Sequence, residues 1–176
     1  MAMQREIQII CGKVRVLNLP TFLKQVNSMA LEHEITIQGL NSDLIAGEKH
    51  FHFAVEKALR AVAAGKNVAK DPGVEIMRYA AGERQIGKSF SIGLHEGENN
   101  VVFILLGKRD NVFSALSEMK QLITEKACSE MLSYSESKRE GIISFFGITA
   151  AEIEAAGEEK IPELVLERVA LADFSK

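Results

Sequence analysis

The sequence predicts a single α/β (α+β) domain over residues 1–176, a small mixed β-sheet packed with several helices. Three observations predict it. "NNVVFILLG", residues 99–107, is apolar at consecutive positions, the pattern of a central strand buried on both faces. "REIQIICGKV" and "ITIQGL" are β-branched or alternate at period two, as flanking strands do. Segments with helical periodicity outnumber these strands. With 176 residues, 47% of them hydrophobic and 26% charged, the chain is long and apolar enough to bury a core.

Taken in order, "REIQIICGKV" is expected to close at Gly12. "TFLKQVNSMALEHE" sets Phe22, Val26, Met29 and Ala30 on one helical face, with Pro20 as its start signal. "ITIQGL" follows as a short strand. In "EKHFHFAVEKALRAVAAG", Phe51, Val55, Ala58, Leu59 and Val62 recur at helical spacing and Gly65 supplies the stop. "DPGVEIMRYAAG" reads as a helix capped by Asp71 with Pro72 in its first turn. After the central strand, "DNVFSALSEMKQLITEKA" is an amphipathic helix through Val112, Ala115, Leu116, Met119, Leu122 and Ile123. The remainder is helical: one segment around residues 136–146, one opened by the capping box of Thr149 and Glu152, and a last one from Pro162.

The longest apolar run is strand-length, and the N-terminus lacks a basic-then-apolar signal layout, so a cytoplasmic protein without membrane association is expected. Cys11 and Cys128 lie far apart in no ligand spacing and are expected to be reduced core thiols. The net charge of -3 argues against a generic polyanion binder, and no DNA partner is expected. Residues 49–88, however, hold eight Lys/Arg against four acids, a net +4 that leaves -7 for the rest. Such a basic middle fits a local anionic partner or a solvated Lys-rich face.

"GERQIGKS", residues 82–89, spells a Walker A phosphate loop. That loop requires a buried strand before its first glycine, whereas "VEIMRYAA" suits a helix and carries Glu75 and Arg78. The acidic strand end that would hold magnesium is also missing, because "VVFILLG" ends in Gly107. The spelling is therefore read as chance. His50 and His52 fall on different helical faces, and His33 and His95 have no ligand neighbour in sequence, so no metal, cofactor or catalytic residue is expected.

Read as a block, "VEIMRYAAGERQIGKSFSIGL" followed by "NNVVFILLG" resembles the small kinase-binding subunit of the KEOPS (EKC) complex, the family of the PRPK-binding protein and its archaeal equivalents. "NSDLIAGEKHFHFAVEKALRA" and the terminal "LVLERVALADF" are similar to elements of that family; residues 129–160 match poorly. Gly82, Arg84, Gln85 and Ile86 carry the family pattern, and Gly87, Lys88 and Ser89 complete the Walker spelling.

The resemblance implies a subunit with no catalysis of its own. It implies direct docking on the atypical kinase subunit, and a link to the transferase subunit only through that kinase. It also implies binding of the 3′ CCA end of tRNA, in support of threonylcarbamoyl-adenosine modification. On that reading Lys49, Arg78, Arg84 and Lys88 are candidate phosphate partners, and Gln85 reads a base edge. Arg84 and Tyr79 are candidates for stacking on bases. Phe90, Ile92 and Leu94 alternate in "SFSIGLHEG" and are the candidate apolar anchors for the kinase, with burial in the core as the competing role.

Overall fold

The computed structural model describes residues 5–174. Four strands, β1 (Glu6–Val16), β2 (Thr36–Asn41), β3 (Gly97–Gly107) and β4 (Thr124–Lys126), form one sheet in the order β2-β3-β1-β4. Every pairing is antiparallel, from Glu6 opposite Gly107 to Val16 opposite Gly97 in the central pair. The α+β class is as expected, but the sheet is not mixed. Strand direction depends on where the intervening chain returns, which local periodicity does not encode.

Chain contacts group into two compact units, each built from two segments. The first holds the sheet, with residues up to Asn41 and Leu94–Met131. Here α1 (Leu19–Glu32) and α5 (Arg109–Met119) bury Val26, Met29, Val112, Ala115 and Met119 against one face of the sheet. That face presents alternate residues, Ile10, Val14 and Val16 from β1 and Val101, Phe103 and Leu105 from β3. β3 is buried at every position from Val101 to Leu106, as a central strand requires. Asn18 caps α1 by accepting the Thr21 amide at 2.9 Å.

Three expectations need correcting in this unit. Gly12 does not end β1. It lies inside the strand opposite Glu125, and a Cβ there would stand 2.2 Å from the Thr124 carbonyl oxygen, so glycine is what lets β4 approach. The helix read through Ile123 stops at Met119, and residues 124–126 pair with β1 instead. Leu122 and Ile123 still pack on the same core, so apolar spacing continues after the helix has ended. Finally, Cys11 and Cys128 are not reduced thiols. They form a disulfide across 117 residues, tying β1 to the start of α6 (Cys128–Leu132). Pairing of Lys126 with Cys11 brings the two cysteines together, a proximity that sequence separation conceals.

The second unit, Ser42–Gly93 with the chain from Leu132 onward, is helical. It contains α2 (Glu48–Ala63), α3 (Pro72–Ala80), α4 (Ile86–Ser89), α7 (Arg139–Phe146), α8 (Ala150–Ala156) and α9 (Ile161–Ala170). Asp71 caps α3 through the Val74 amide, and Thr149 and Glu152 form the expected capping box on α8. Ala46, Ile142, Phe146, Ile148, Ile161 and Val165 make a core of their own. His50 lies buried beside it, accepting the Ala46 amide at Nδ1 and donating from Nε2 to the Ala80 carbonyl. Burial pushes its pKa down to about 4 against the Ala80 hydrogen bond, so the ring is neutral. Among the described residues, no helix is long and apolar enough to cross a membrane.

Candidate nucleic-acid interface

Lys57, Arg60 and Ala61 on α2 and Ala64, its C-terminal cap, follow one another at spacings of three, one and three, which places them on one helical face. This face forms one wall of a cleft of about 500 Å³. Lys66 and Val68 line it from the loop after α2, Tyr79 from α3, Arg84 from the turn beyond α3, and Asp173 from the 3₁₀ turn Ala172–Phe174. Four cations and one carboxylate therefore share the lining with Ala61, Ala64, Val68 and Tyr79.

The cleft is held from behind by an ion pair that touches no solvent. Glu75 and Arg78 are both fully buried, one helical turn apart on α3. Arg78 donates from Nε at 3.2 Å and Nη2 at 2.7 Å to the two Glu75 carboxylate oxygens, a bidentate fork. The same carboxylate accepts the backbone amides of Val68 and Ala69, which fixes the loop that carries Lys66 and Val68. On its other side Arg78 donates to the Glu83 carbonyl at 3.1 Å, positioning the residue before Arg84. Gly82 makes that turn at φ +65°, packed on Arg168, so a side chain there meets both strain and a contact at 3.0 Å.

Arg78 also reaches Asp173 at 3.0 Å, and its guanidinium lies 4.2 Å from the centre of the Tyr79 ring. The Tyr79 hydroxyl donates to Asp173, with Oδ1 at 2.9 Å and Oδ2 at 3.0 Å. Burial opposes ionisation of Asp173, but these hydrogen bonds outweigh it and hold the carboxyl below its ordinary range. Burial, then the bond to Asp173, push the Tyr79 phenol up, so Tyr79 stays a neutral donor. Lys57 lies 5.4 Å from the centre of the Tyr79 ring and 5.6 Å from that of Phe53. Arg60 forms an i,i+4 pair with Glu56.

The residues singled out in the sequence are distributed unevenly around this cleft. Arg84 lines it. Arg78 supports it but exposes nothing. Lys49 is exposed in the first turn of α2, Gln85 is the exposed residue preceding α4, and Lys88 is exposed within α4; none of the three lines the cleft. Lys57, Arg60 and Lys66 belonged to the basic stretch without being singled out. Their signal was the i, i+3 spacing of two cations beside alanines, which marks a shallow charged face.

The Walker spelling has none of its structural context. The element before Gly82 is α3, and α4 has four residues. Ser89 is buried and its hydroxyl donates to the Gln85 carbonyl, so it faces no magnesium position. Phe90, Ile92 and Leu94 do not share an extended edge. Phe90 and Ile92 lie in a 3₁₀ turn, Phe90 being 55% exposed and Ile92 buried, while Leu94 packs on the core of the sheet.

The sequence model of a family described as kinase binding protein CGI-121 matches residues 15–173. The chain belongs to the CGI-121 family of kinase-binding proteins. The match spans both units and includes every residue of the cleft, Asp173 being its last. No curated protein matches the chain. Membership makes a kinase the partner class, and it does not say what the basic cleft holds.

Proposed function

We propose that this CGI-121 protein is a non-catalytic, cytoplasmic KEOPS subunit that docks on the atypical kinase subunit and holds the single-stranded 3′ CCA end of tRNA. It thereby supports threonylcarbamoyl-adenosine modification by the transferase subunit, which it reaches only through the kinase. The observation that carries the RNA half is the cleft, where Lys57, Arg60, Lys66 and Arg84 share the lining with alanine, valine and the Tyr79 ring. Lysine and arginine neutralise phosphates, and an aromatic ring or a guanidinium accepts a base face. Its volume is that of a small-ligand site, sized for a nucleotide end rather than a duplex. Arg84 is the central contact, Arg78 acts by positioning it, and Lys49, Gln85 and Lys88 extend the basic surface along the strand.

For the kinase half, Phe90 is the anchor, a large apolar side chain left exposed beside Lys88 and Ser91. Ile92 is buried in the same turn. The deciding experiment measures tRNA binding with intact and CCA-trimmed tRNA, together with co-elution with the kinase. Arg84→Ala is expected to weaken intact tRNA by about 1–3 kcal/mol. Equal affinity for trimmed tRNA would remove the 3′ end from this reading. Phe90→Glu should remain folded by circular dichroism and lose the kinase, whereas Ile92→Glu should unfold. A Phe90→Glu protein that still co-elutes moves the docking face elsewhere.

A further inference from the structure

A cleft built only to hold an RNA backbone has no use for a fixed carboxylate, yet Asp173 stands in this one. Its side chain is 41% exposed, and the partners behind it are set: Arg78 Nη2 and the Tyr79 hydroxyl. Two carboxylate oxygens accept about four hydrogen bonds. One Arg78 N–H and the single Tyr79 O–H leave acceptor capacity on a side chain that lines the cleft. The cleft therefore combines four cations with one hydrogen-bond acceptor of negative charge.

A phosphodiester laid against Asp173 would meet like charge at short range, and a terminal phosphate would meet more of it. Uncharged hydroxyl groups would meet an acceptor instead. A nucleotide satisfies both parts when its phosphate faces the lysines and arginines and its free sugar hydroxyls face the carboxylate. Within an RNA strand, the nucleotide that offers two adjacent hydroxyl donors and no further phosphate is the 3′-terminal one with an unmodified ribose. We propose that Asp173 is a specificity-determining residue that accepts hydrogen bonds from the 2′,3′-diol of an RNA 3′ terminus and rejects a 3′-phosphorylated end. This rests on the cleft being an RNA 3′-end site, as proposed above. Arg78 and Tyr79 act as positioning residues for Asp173: one holds its charge in place, the other fixes the orientation of its oxygens.

The experiment uses the full chain and a 5′-fluorescein-labelled single-stranded RNA ending in CCA, read by anisotropy. Four 3′ ends are compared: the free diol, the 3′-phosphate, the 2′-deoxy and the 3′-deoxy terminus. The diol is expected to bind tenfold or more tighter than the 3′-phosphate and several-fold tighter than either deoxy end. Asp173→Asn keeps an acceptor and removes the charge, so its ratio of diol to 3′-phosphate affinity should collapse towards one. Should that variant misfold by circular dichroism, the four ends on the native chain still decide. Equal affinity for diol and phosphate ends on the native chain overturns the assignment to Asp173 while leaving RNA binding intact. Absence of binding to all four RNAs and to whole tRNA overturns the RNA reading itself, and the assignment with it.

Discussion

Glu75 is the residue on which the cleft most depends, although it lines none of it. Its carboxylate neutralises Arg78 and holds the amides of Val68 and Ala69, so three separate pieces of backbone and side chain converge on two oxygens. Removing one member of such a buried pair leaves the other charge uncompensated, which costs about 3–5 kcal/mol. Glu75→Ala should therefore lower the urea midpoint sharply, and Arg84 contacts should weaken with it. A variant of native stability would mean that Arg78 finds compensation from Asp173 alone. His50 makes a different demand. Its folded pKa of about 4 lies below the unfolded value of about 6.5. As pH falls from about 6.5 to about 4 the unfolded chain takes up a proton that the folded chain refuses, so stability declines through that window. Urea titrations at pH 7, 5.5 and 4.5 should show the decline, and it should be shallower in His50→Gln. Identical pH profiles for the two proteins would assign the acid sensitivity to other groups.

At the scale of elements, the three-residue strand β4 owes its place to its neighbours. Its residues are all exposed, and it pairs with β1 only at Cys11, Gly12 and Lys13. The glycine admits it and the disulfide to Cys128 follows immediately after it. Closing a loop of this length in the unfolded chain stabilises the fold by about 2–4 kcal/mol, up to about 5 on chain-entropy grounds. Reduction with a dithiol should lower the thermal midpoint, and Cys11→Ser with Cys128→Ser should reproduce the reduced protein. An unchanged midpoint would show that β4 is held by pairing alone. Disulfides are rare in reducing cytosols outside hyperthermophiles. Spacing gave no hint of this one, because 117 residues separate the cysteines and only sheet register brings them together. In contrast, the Asp71 cap, the Thr149–Glu152 box and the central strand were legible, since each depends on residues within one turn or one strand.

Over the whole molecule the net charge of -3 hides the feature that matters. The basic stretch carries +4 against -7 elsewhere, and four of its cations line one cleft. Binding of single-stranded RNA that engages three or four phosphates should fall with salt at a log–log slope of about -2 to -3, and removing one phosphate partner should reduce that slope by about 0.7. Lys66→Ala is the cleanest variant, because Lys66 lies on a loop and its bond to α2 is made by the backbone amide, which alanine keeps. A slope near zero for the native protein would mean the cleft is not a phosphate site.

Local chemistry in the chain determined the α+β class, the central strand, the capped helices and the concentration of positive charge between residues 49 and 88. It also excluded the phosphate loop, since "VEIMRYAA" has helical rather than strand periodicity around two charges. What only the tertiary structure decided is which of those charges meet. Arg78 looked like a phosphate partner because sequence shows its charge and not its burial; packing against Glu75 turned it inward. Asp173 was not singled out in the sequence, and the closing 3₁₀ turn set it against Arg78 and Tyr79 and in one cleft with Lys57, Arg60, Lys66 and Arg84. The physical reason is range. Periodicity and capping act over a few residues, whereas a cleft is made by segments that meet only after the whole unit has folded.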